Sequence, residues 1–334
     1  MASEALDLYK RAEKVCKGSS GFWSFISGGP DYDEAIQLYV QAANQFKILK
    51  MWSKGVECFN KAGDLSIKQG DTGSAANYYM ECGNITKKEN IGNSIEYYTK
   101  AIDLYNKSGR FSQSGKLYKV IAEAFEMDFI YKESLEYYKK AAEMYDMDEY
   151  SKSAYSACIL KYADLVSLSY DNSCSGSMRE VSENGDSMKY IYEAITIYES
   201  EAKKALQNSL IKYNSKEYLF KAFLIVLSMN DLVDAEIKWD KYCGVDPSFC
   251  VTPQGQFLEA ILKLIKRKQN TSMSEDEDTN EKILNDFSKI LEEYNNIYPI
   301  DDWRVHFLTI IKKNLARSNI SIKQQIENNQ IDLT

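Results

Sequence analysis

A three-residue signature, repeated at a nearly fixed interval, restricts this chain to one kind of architecture. Within residues 93–105, Ser94, Tyr98 and Ala101 stand at positions i, i+4 and i+7. Those positions share one face of an α-helix. The aromatic is then flanked by two small side chains that let a neighbouring helix come close. The signature recurs as Ala35/Tyr39/Ala42, Gly55/Phe59/Ala62, Ala75/Tyr79/Cys82, Ser114/Tyr118/Ile121 and Ser134/Tyr138/Ala141. Its first positions, 35, 55, 75, 94, 114 and 134, advance by 20, 20, 19, 20 and 20 residues. Two helices with their turns, about 40 residues, is a period typical of stacked helical hairpins. No compact enzyme fold needs such regularity.

Composition fits that architecture. The four prolines lie at 30, 247, 253 and 299, so residues 31–246 can form uninterrupted helices. Many of the 25 tyrosines fall at or beside the periodic positions and read as packing groups with a polar tip. The formal charge of −8 argues against bulk nucleic-acid binding and leaves room for a local basic face. None of the seven cysteines belongs to a Cys-x-x-Cys pair, and Cys58 and Cys82 lie on or next to periodic faces. With no signal peptide read, a reducing, cytoplasmic chain is expected. No run approaches the ~20 apolar residues of a membrane span, so any membrane contact is expected to be peripheral.

In chain order, residues 2–17 read as an amphipathic helix stopped by Gly18. The Gly/Ser-rich stretch 19–30 carries the apolar cluster Phe22, Trp23, Phe25 and Ile26. Two readings stand for it: a contact surface of the kind aromatics make at a bilayer interface, and a loop folded back on the first hairpin. Residues 31–150 are the ladder, with joints expected at Gly70-Asp71, 89–92, Gly109-Arg110 and Met127-Asp128. One more helix spans 151–169, and 170–186 reads as a long mobile loop. Two helices over 208–243, a loop at 244–255, an apolar helix at 256–267 and an acidic loop at 268–280 follow. Amphipathic helices at 281–294 and 302–316 precede a polar, mobile tail.

Chemistry-bearing motifs are missing. The single histidine, His306, sits on a helix beside Phe307 with no triad partner nearby. There is no phosphate-cradling glycine motif and no His/Cys cluster with metal spacing. No catalytic residue, metal or cofactor is predicted, and the protein is expected not to be an enzyme. Basic residues recur near the turns, at Lys47 and Lys50, Lys87 and Lys88, and Arg110 and Lys116. Singly, each is best read as part of a solvated edge. As a group they recur with the ladder, and a basic stripe of that kind suits an acidic, elongated partner.

Segments that match in order then point to a family. They are residues 21–29 (GFWSFISGG), 42–52 (AANQFKILKMW), 83–88 (GNITKK), 101–105 (AIDLY) with 109–111 (GRF), and 212–222 (KYNSKEYLFKA). Asp302-Trp303 leading to Lys312-Lys313, and the penultimate Leu333 after Asp332, complete the set. Over nearly the whole chain the sequence resembles the soluble N-ethylmaleimide-sensitive factor (NSF) attachment protein family, SNAP, of the alpha type. The resemblance implies a non-enzymatic adaptor that binds SNARE complexes at membranes and recruits the hexameric ATPase NSF to disassemble them. It implies membrane contact by Phe22, Trp23, Phe25 and Ile26, and SNARE contact by Lys50, Lys87, Lys88, Arg110 and Lys116. Glu259, Asp332 and Leu333 would face NSF. No nucleic acid is expected as a partner. The chain departs from the family pattern at Ala157, where a further basic residue is usual, and at Leu262 and Lys263, which replace acids after Glu259. The acidic run 275–278 offers a substitute for those acids, and the longer tail and the 170–186 loop are further differences.

The expected fold is all-α: a tetratricopeptide-like right-handed solenoid of antiparallel helix hairpins with a C-terminal helical bundle. The expected division is 1–207 for the hairpins, 208–317 for the bundle and 318–334 for the tail. The competing reading is a generic tetratricopeptide-like scaffold for some other partner, which needs only the ladder.

Overall fold

The computed structural model of the chain describes residues 2–17, 31–87, 91–168, 187–270 and 277–316. The expected loops at 19–30 and 170–186 and the tail at 318–334 lie outside the described residues. All regular structure among the described residues is helical. The chain divides into two compact units, Met1–Cys158 and Ile159–Thr334.

In the first unit seven helices pack each against the next in chain order. They are α1 (Ala2–Lys17), α2 (Tyr32–Ile48), α3 (Trp52–Lys68), α4 (Thr72–Thr86), α5 (Ile91–Lys107), α6 (Phe111–Met127) and α7 (Tyr131–Asp146). A short 3-10 turn, Glu149–Ser151, leads into α8 (Lys152–Ser167), which crosses into the second unit. Turns of a few residues make α2 to α7 successively antiparallel. The first helix runs parallel to α3, because the Tyr9 hydroxyl donates to Glu57 at 2.5 Å while Lys61 reaches Glu13 at 3.1 Å. The turns therefore alternate between two ends of the stack. The α2–α3, α4–α5 and α6–α7 turns share one end; the α3–α4 and α5–α6 turns share the other.

The signature faces form the core of this stack. Every signature residue is buried except Tyr118, which is half-buried with its ring centroid 6.1 Å from that of Tyr137. Two of the rings fit because the preceding helix is notched. A Cβ on Gly63 would lie 2.9 Å from the Tyr79 ring, and one on Gly83 would lie 2.5 Å from the Tyr98 ring. The residue after each notch then satisfies the hydroxyl. Tyr79 donates to Asp64 at 2.7 Å, and Tyr98 donates to Asn84 at 3.0 Å. Burial pushes the Tyr98 hydroxyl up to about 12, which keeps it a donor. In α7 the acceptor is Glu126, 2.7 Å from Tyr138, and the small Ser134 bonds the Ala122 carbonyl at 3.0 Å. Leaving such a buried hydroxyl unpaired costs about 1–3 kcal/mol, so these acceptors matter as much as the packing.

The joints form by ordinary helix-end chemistry. Gly70 and Gly109 hold left-handed φ values of +82° and +70° just past α3 and α5. Glycine adopts that conformation without a side-chain clash. Asp71 caps α4 by accepting from the Ser74 N–H at 3.0 Å, and Asp31 caps α2 in the same way.

The second unit is a bundle around one helix. It contains α9 (Ser187–Leu206), α10 (Asn214–Ser228), α11 (Leu232–Val245), α12 (Pro247–Cys250), α13 (Pro253–Asn270), α14 (Glu277–Asn295) and α15 (Asp302–Ala316). Residues 222–228 of α10 are buried on all sides, with α9, α11, α13 and α15 packed around that helix. A helix apolar all round belongs in such a centre. Two expected loops are partly helical. Pro247 and Pro253 each open a helix, where a missing N–H costs nothing, so α13 starts three residues before the expected Gln256. Of the acidic loop expected over 268–280, residues 268–270 end α13 and 277–280 begin α14, while 271–276 lie outside the described residues.

Charge ties α9 to α11. Glu199 accepts from Lys238 at 2.6 Å, Lys241 at 2.5 Å and the Tyr242 hydroxyl at 2.7 Å. Burial alone would raise this carboxyl; the three donors outweigh it and hold the group below the usual carboxylate range. Its stabilisation is therefore present at neutral pH and lost as pH falls through the ordinary carboxylate range. Glu199→Gln is expected to cost ~2 kcal/mol at pH 7 in urea denaturation, with the difference from wild type shrinking towards pH 4. A difference independent of pH would count against the ionised cluster. Gly83→Ala drives a Cβ into the Tyr98 ring and is expected to cost ~1–3 kcal/mol in the same measurement. A neutral outcome would mean the notch does not fix the helix spacing.

Candidate functional site

The first unit brings some of the basic candidates together and separates others. Lys50 lies in the α2–α3 turn and Lys87 at the end of α4, so both sit at one end of the stack. Arg110 precedes α6 at the opposite end, and Lys116 is six residues further along that helix. Lys50, Arg110 and Lys116 are exposed and Lys87 is half-buried. Lys88 lies outside the described residues, as do Phe22, Trp23, Phe25, Ile26, Asp332 and Leu333.

Two properties describe this set, and neither is confined to it: Lys54, Lys68, Lys107 and Lys132 also form no ion pair, and Phe129 and Asn230 also hold left-handed φ values. First, neighbouring cations are engaged by carboxylates: Lys47 with Glu81 at 2.5 Å, Lys100 with Glu96 at 2.9 Å and Lys140 with Glu136 at 2.6 Å. Among the described residues Lys50, Lys87, Arg110 and Lys116 form no ion pair. Second, two of the four stand where the backbone prefers another residue. Lys50 has φ +57°, the left-handed position that Gly70 and Gly109 fill in other turns. Arg110 occupies the N-cap of α6 and makes no side-chain cap bond. Its guanidinium lies against Gly73 in the first turn of α4, where a Cβ would be 3.1 Å from it. A cation is thus held beside two helix N-termini, whose dipoles favour anions.

In the second unit, Glu259 lies on α13, half-buried, and pairs with Lys263 at 2.7 Å. Leu262 is buried in the bundle. The substitutions after Glu259 therefore act in different ways: one side chain joins the core and the other neutralises the acid. Ala157, the remaining departure, is exposed on α8. Among the described residues, no three His, Cys, Asp or Glu side chains gather to hold a metal ion, and no helix is long and apolar enough to cross a membrane.

With this geometry in hand, comparison with known proteins is decisive. A family profile described as soluble NSF attachment protein, SNAP, matches residues 3–316. The chain belongs to the SNAP family. It is 28% identical to human "Alpha-soluble NSF attachment protein" over 314 residues, 94% of this chain and 95% of that one. It is 30% identical to "Vesicular-fusion protein SEC17" of Komagataella phaffii over 319 residues, 95% of this chain and 97% of that one. The alpha-soluble NSF attachment protein of Saccharomyces cerevisiae is 27% identical over 318 residues, 94% of this chain and 98% of that one. Among solved structures, the C-terminal part of a TPR repeat-containing protein of Cytophaga hutchinsonii aligns at 15% identity and a TM-score of 0.21, over 74% of this chain and 96% of that one. That score is too low to carry an argument, and the fold rests on the helix pairing above.

For this SNAP-family chain, sequence reasoning passed over one surface. The turn between α9 and α10 exposes Leu210 at 88% and Tyr213 at 69%, with Lys212 and Lys216 each within 6 Å of the Tyr213 ring. The signal was present as two lysines flanking an aromatic at the head of a helix. It was hidden because the segment lies inside a matched family stretch and outside the ladder.

Glycine at Lys50 and serine at Arg110 suit those backbone positions better. Lys50→Gly and Arg110→Ser are each expected to raise stability by ~0.5–1 kcal/mol in urea denaturation. A loss of stability in both variants would remove the case that these cations are held against local preference.

Proposed function

We propose that this SNAP-family protein is a non-enzymatic adaptor that grips the acidic bundle of a SNARE complex and recruits and stimulates the ATPase NSF to take it apart. The observation that carries the reading is the set of unpaired cations, Lys50, Lys87, Arg110 and Lys116, two of them at positions the backbone disfavours. Relatives named for NSF attachment and vesicular fusion support the same assignment. By the family resemblance Lys88 is added to these four, and the exposed Leu210–Lys216 turn offers an apolar and basic contact in the second unit.

The remaining roles follow from the family resemblance. Phe22, Trp23, Phe25 and Ile26 dip into the membrane surface, giving a cytoplasmic protein peripheral attachment there. Glu259, Asp332 and Leu333 face the ATPase. Because Lys263 already neutralises Glu259, the tail supplies a larger share of that contact in this chain. An exposed ion pair contributes only ~0–1 kcal/mol, so several contacts on each copy, and several copies, act together on one bundle.

The test is disassembly of a purified SNARE complex by NSF and ATP, with and without the protein. Stimulation is expected, reduced about tenfold by Lys50→Gly combined with Arg110→Ser, a double change that raises stability. Removal of Leu333 and Thr334 is expected to abolish stimulation while leaving SNARE binding intact. A generic scaffold would tolerate that deletion, and no stimulation by the intact protein sinks the adaptor reading. Flotation with liposomes reads the aromatic cluster: it is expected to fall when Phe22, Trp23, Phe25 and Ile26 become Ser, and unchanged flotation favours a folded-back loop.

A further inference from the structure

The sulfurs of Cys243 and Cys250 are bonded, with their Cα atoms 5.8 Å apart, an ordinary spacing for a disulfide. The pair closes the junction between α11 and α12, and both residues are half-buried. The other described cysteines are different. Cys58, Cys82 and Cys158 are fully buried. Burial pushes their thiols up to about 12, 12 and 11, which leaves them inert to exchange. Cys16 is half-buried and belongs to the first unit. Accessible sulfur in the described second unit is thus confined to one pair already positioned to react.

What lies inside the small loop gives the bond a consequence. Phe249 is fully buried, its ring centroid 6.0 Å from that of Trp239, which in turn lies 5.0 Å from Phe223 of the central helix α10. Asp246 receives the Ser248 N–H at 3.1 Å and, with its other oxygen, the Ser215 hydroxyl at 3.2 Å, joining the loop to the start of α10. The carbonyl of Phe249 lies over Gly255, where a Cβ would approach to 2.3 Å. The first turn of α13 therefore rests directly on the loop. Whatever fixes Phe249 also fixes the base of α13, one turn before Glu259.

We propose that Cys243 and Cys250 form a reversible redox clamp that locks the loop holding Phe249, and with it the base of α13, when the surroundings become oxidising. The co-reactant is a small-molecule disulfide such as glutathione disulfide. One cysteine thiolate attacks it, forming a mixed disulfide and releasing one glutathione thiolate. The second cysteine thiolate attacks the protein-side sulfur and releases the other. The protein loses two hydrogens and the glutathione disulfide gains them, as two reduced glutathiones. In a reducing compartment the clamp is open by default and closes under oxidative load. It acts on α13 whatever partner that helix serves.

The test equilibrates the full-length protein in glutathione buffers from fully reduced to fully oxidised, followed by alkylation, peptide mapping and hydrogen exchange. The expected result is a Cys243–Cys250 bond that forms and opens with the buffer ratio. Reduction should speed amide exchange over residues 244–258, on the order of thirtyfold, with α9 and α14 unchanged. Cys250→Ser should match the reduced wild type at every ratio; if that variant misfolds, reduced wild type alone supplies the comparison. The proposal is overturned if both cysteines remain alkylatable in excess glutathione disulfide. It is equally overturned if they pair with Cys16 or Cys174, or if exchange over 244–258 is the same in both states.

Discussion

A tyrosine ring buried between two helices imposes two demands at once: room for the ring and an acceptor for its hydroxyl. In this stack both demands are met by consecutive residues of the preceding helix. Gly63 makes the notch for Tyr79 and Asp64 accepts its hydrogen bond; Gly83 and Asn84 do the same for Tyr98. The glycine brings the helices close and the acceptor fixes how far one can slide along the other. Sliding by a turn would cost the packing and strand the hydroxyl together. The α2–α3 pair shows the contrast, since its aromatic is Phe59, which needs no acceptor. Register in each hairpin is thus set locally, and the spacing of side chains at the ends of the stack follows from it.

That locality explains what could be read from the sequence. The signature faces, the glycine joints and the first and last helices are encoded within a few residues of one another, and the structure places them as expected. The exception is half-buried Tyr118, and the lack of a glycine-acceptor dipeptide before it does not explain this, since buried Tyr138 lacks one too and donates instead to Glu126. The left-handed turn at Lys50 was invisible because no glycine announces it. The early start of α13 was hidden by Pro253, which can end one segment or open the next. Central burial of α10 depends on four other helices, and the closure of Cys243 on Cys250 depends on a turn no spacing rule describes. Of the candidate site, the identity of the cations was legible, but not which of them escape pairing. Lys47 and Lys50 look equivalent in sequence, yet only Lys47 has a carboxylate within reach on the next helix but one.

The cations that escape pairing are held at a modest cost. A side chain in a left-handed turn and a guanidinium at two helix N-termini each weaken the fold slightly, while a carboxylate partner would have stabilised them and removed their charge from solvent. A stack whose register is over-determined by its tyrosines can carry such positions, because each hairpin is anchored independently of its turn. The same consideration separates the two ends of the stack. Lys50 and Lys87 share one and Arg110 holds the other, so a partner that meets all three must run along the helices rather than across a single row of turns.

Charge is also divided between the units. Residues 1–158 contain 20 Lys and Arg against 22 Asp and Glu, a net −2, whereas residues 159–334 contain 21 against 27, a net −6. Most of the acidic excess therefore belongs to residues 159–334. In the first unit many acids are consumed by internal contacts, such as Glu81, Glu96 and Glu136 with their lysines. Each such pair takes up one charge of either sign, so the net charge of the unit stays at −2 while Lys50, Lys87, Arg110 and Lys116 remain outside the pairs. Screening over about 8 Å at physiological ionic strength makes the arrangement of charges near each cation matter more than the net charge of the chain. Any attraction such cations exert on an acidic surface is therefore short-ranged and weakens with salt.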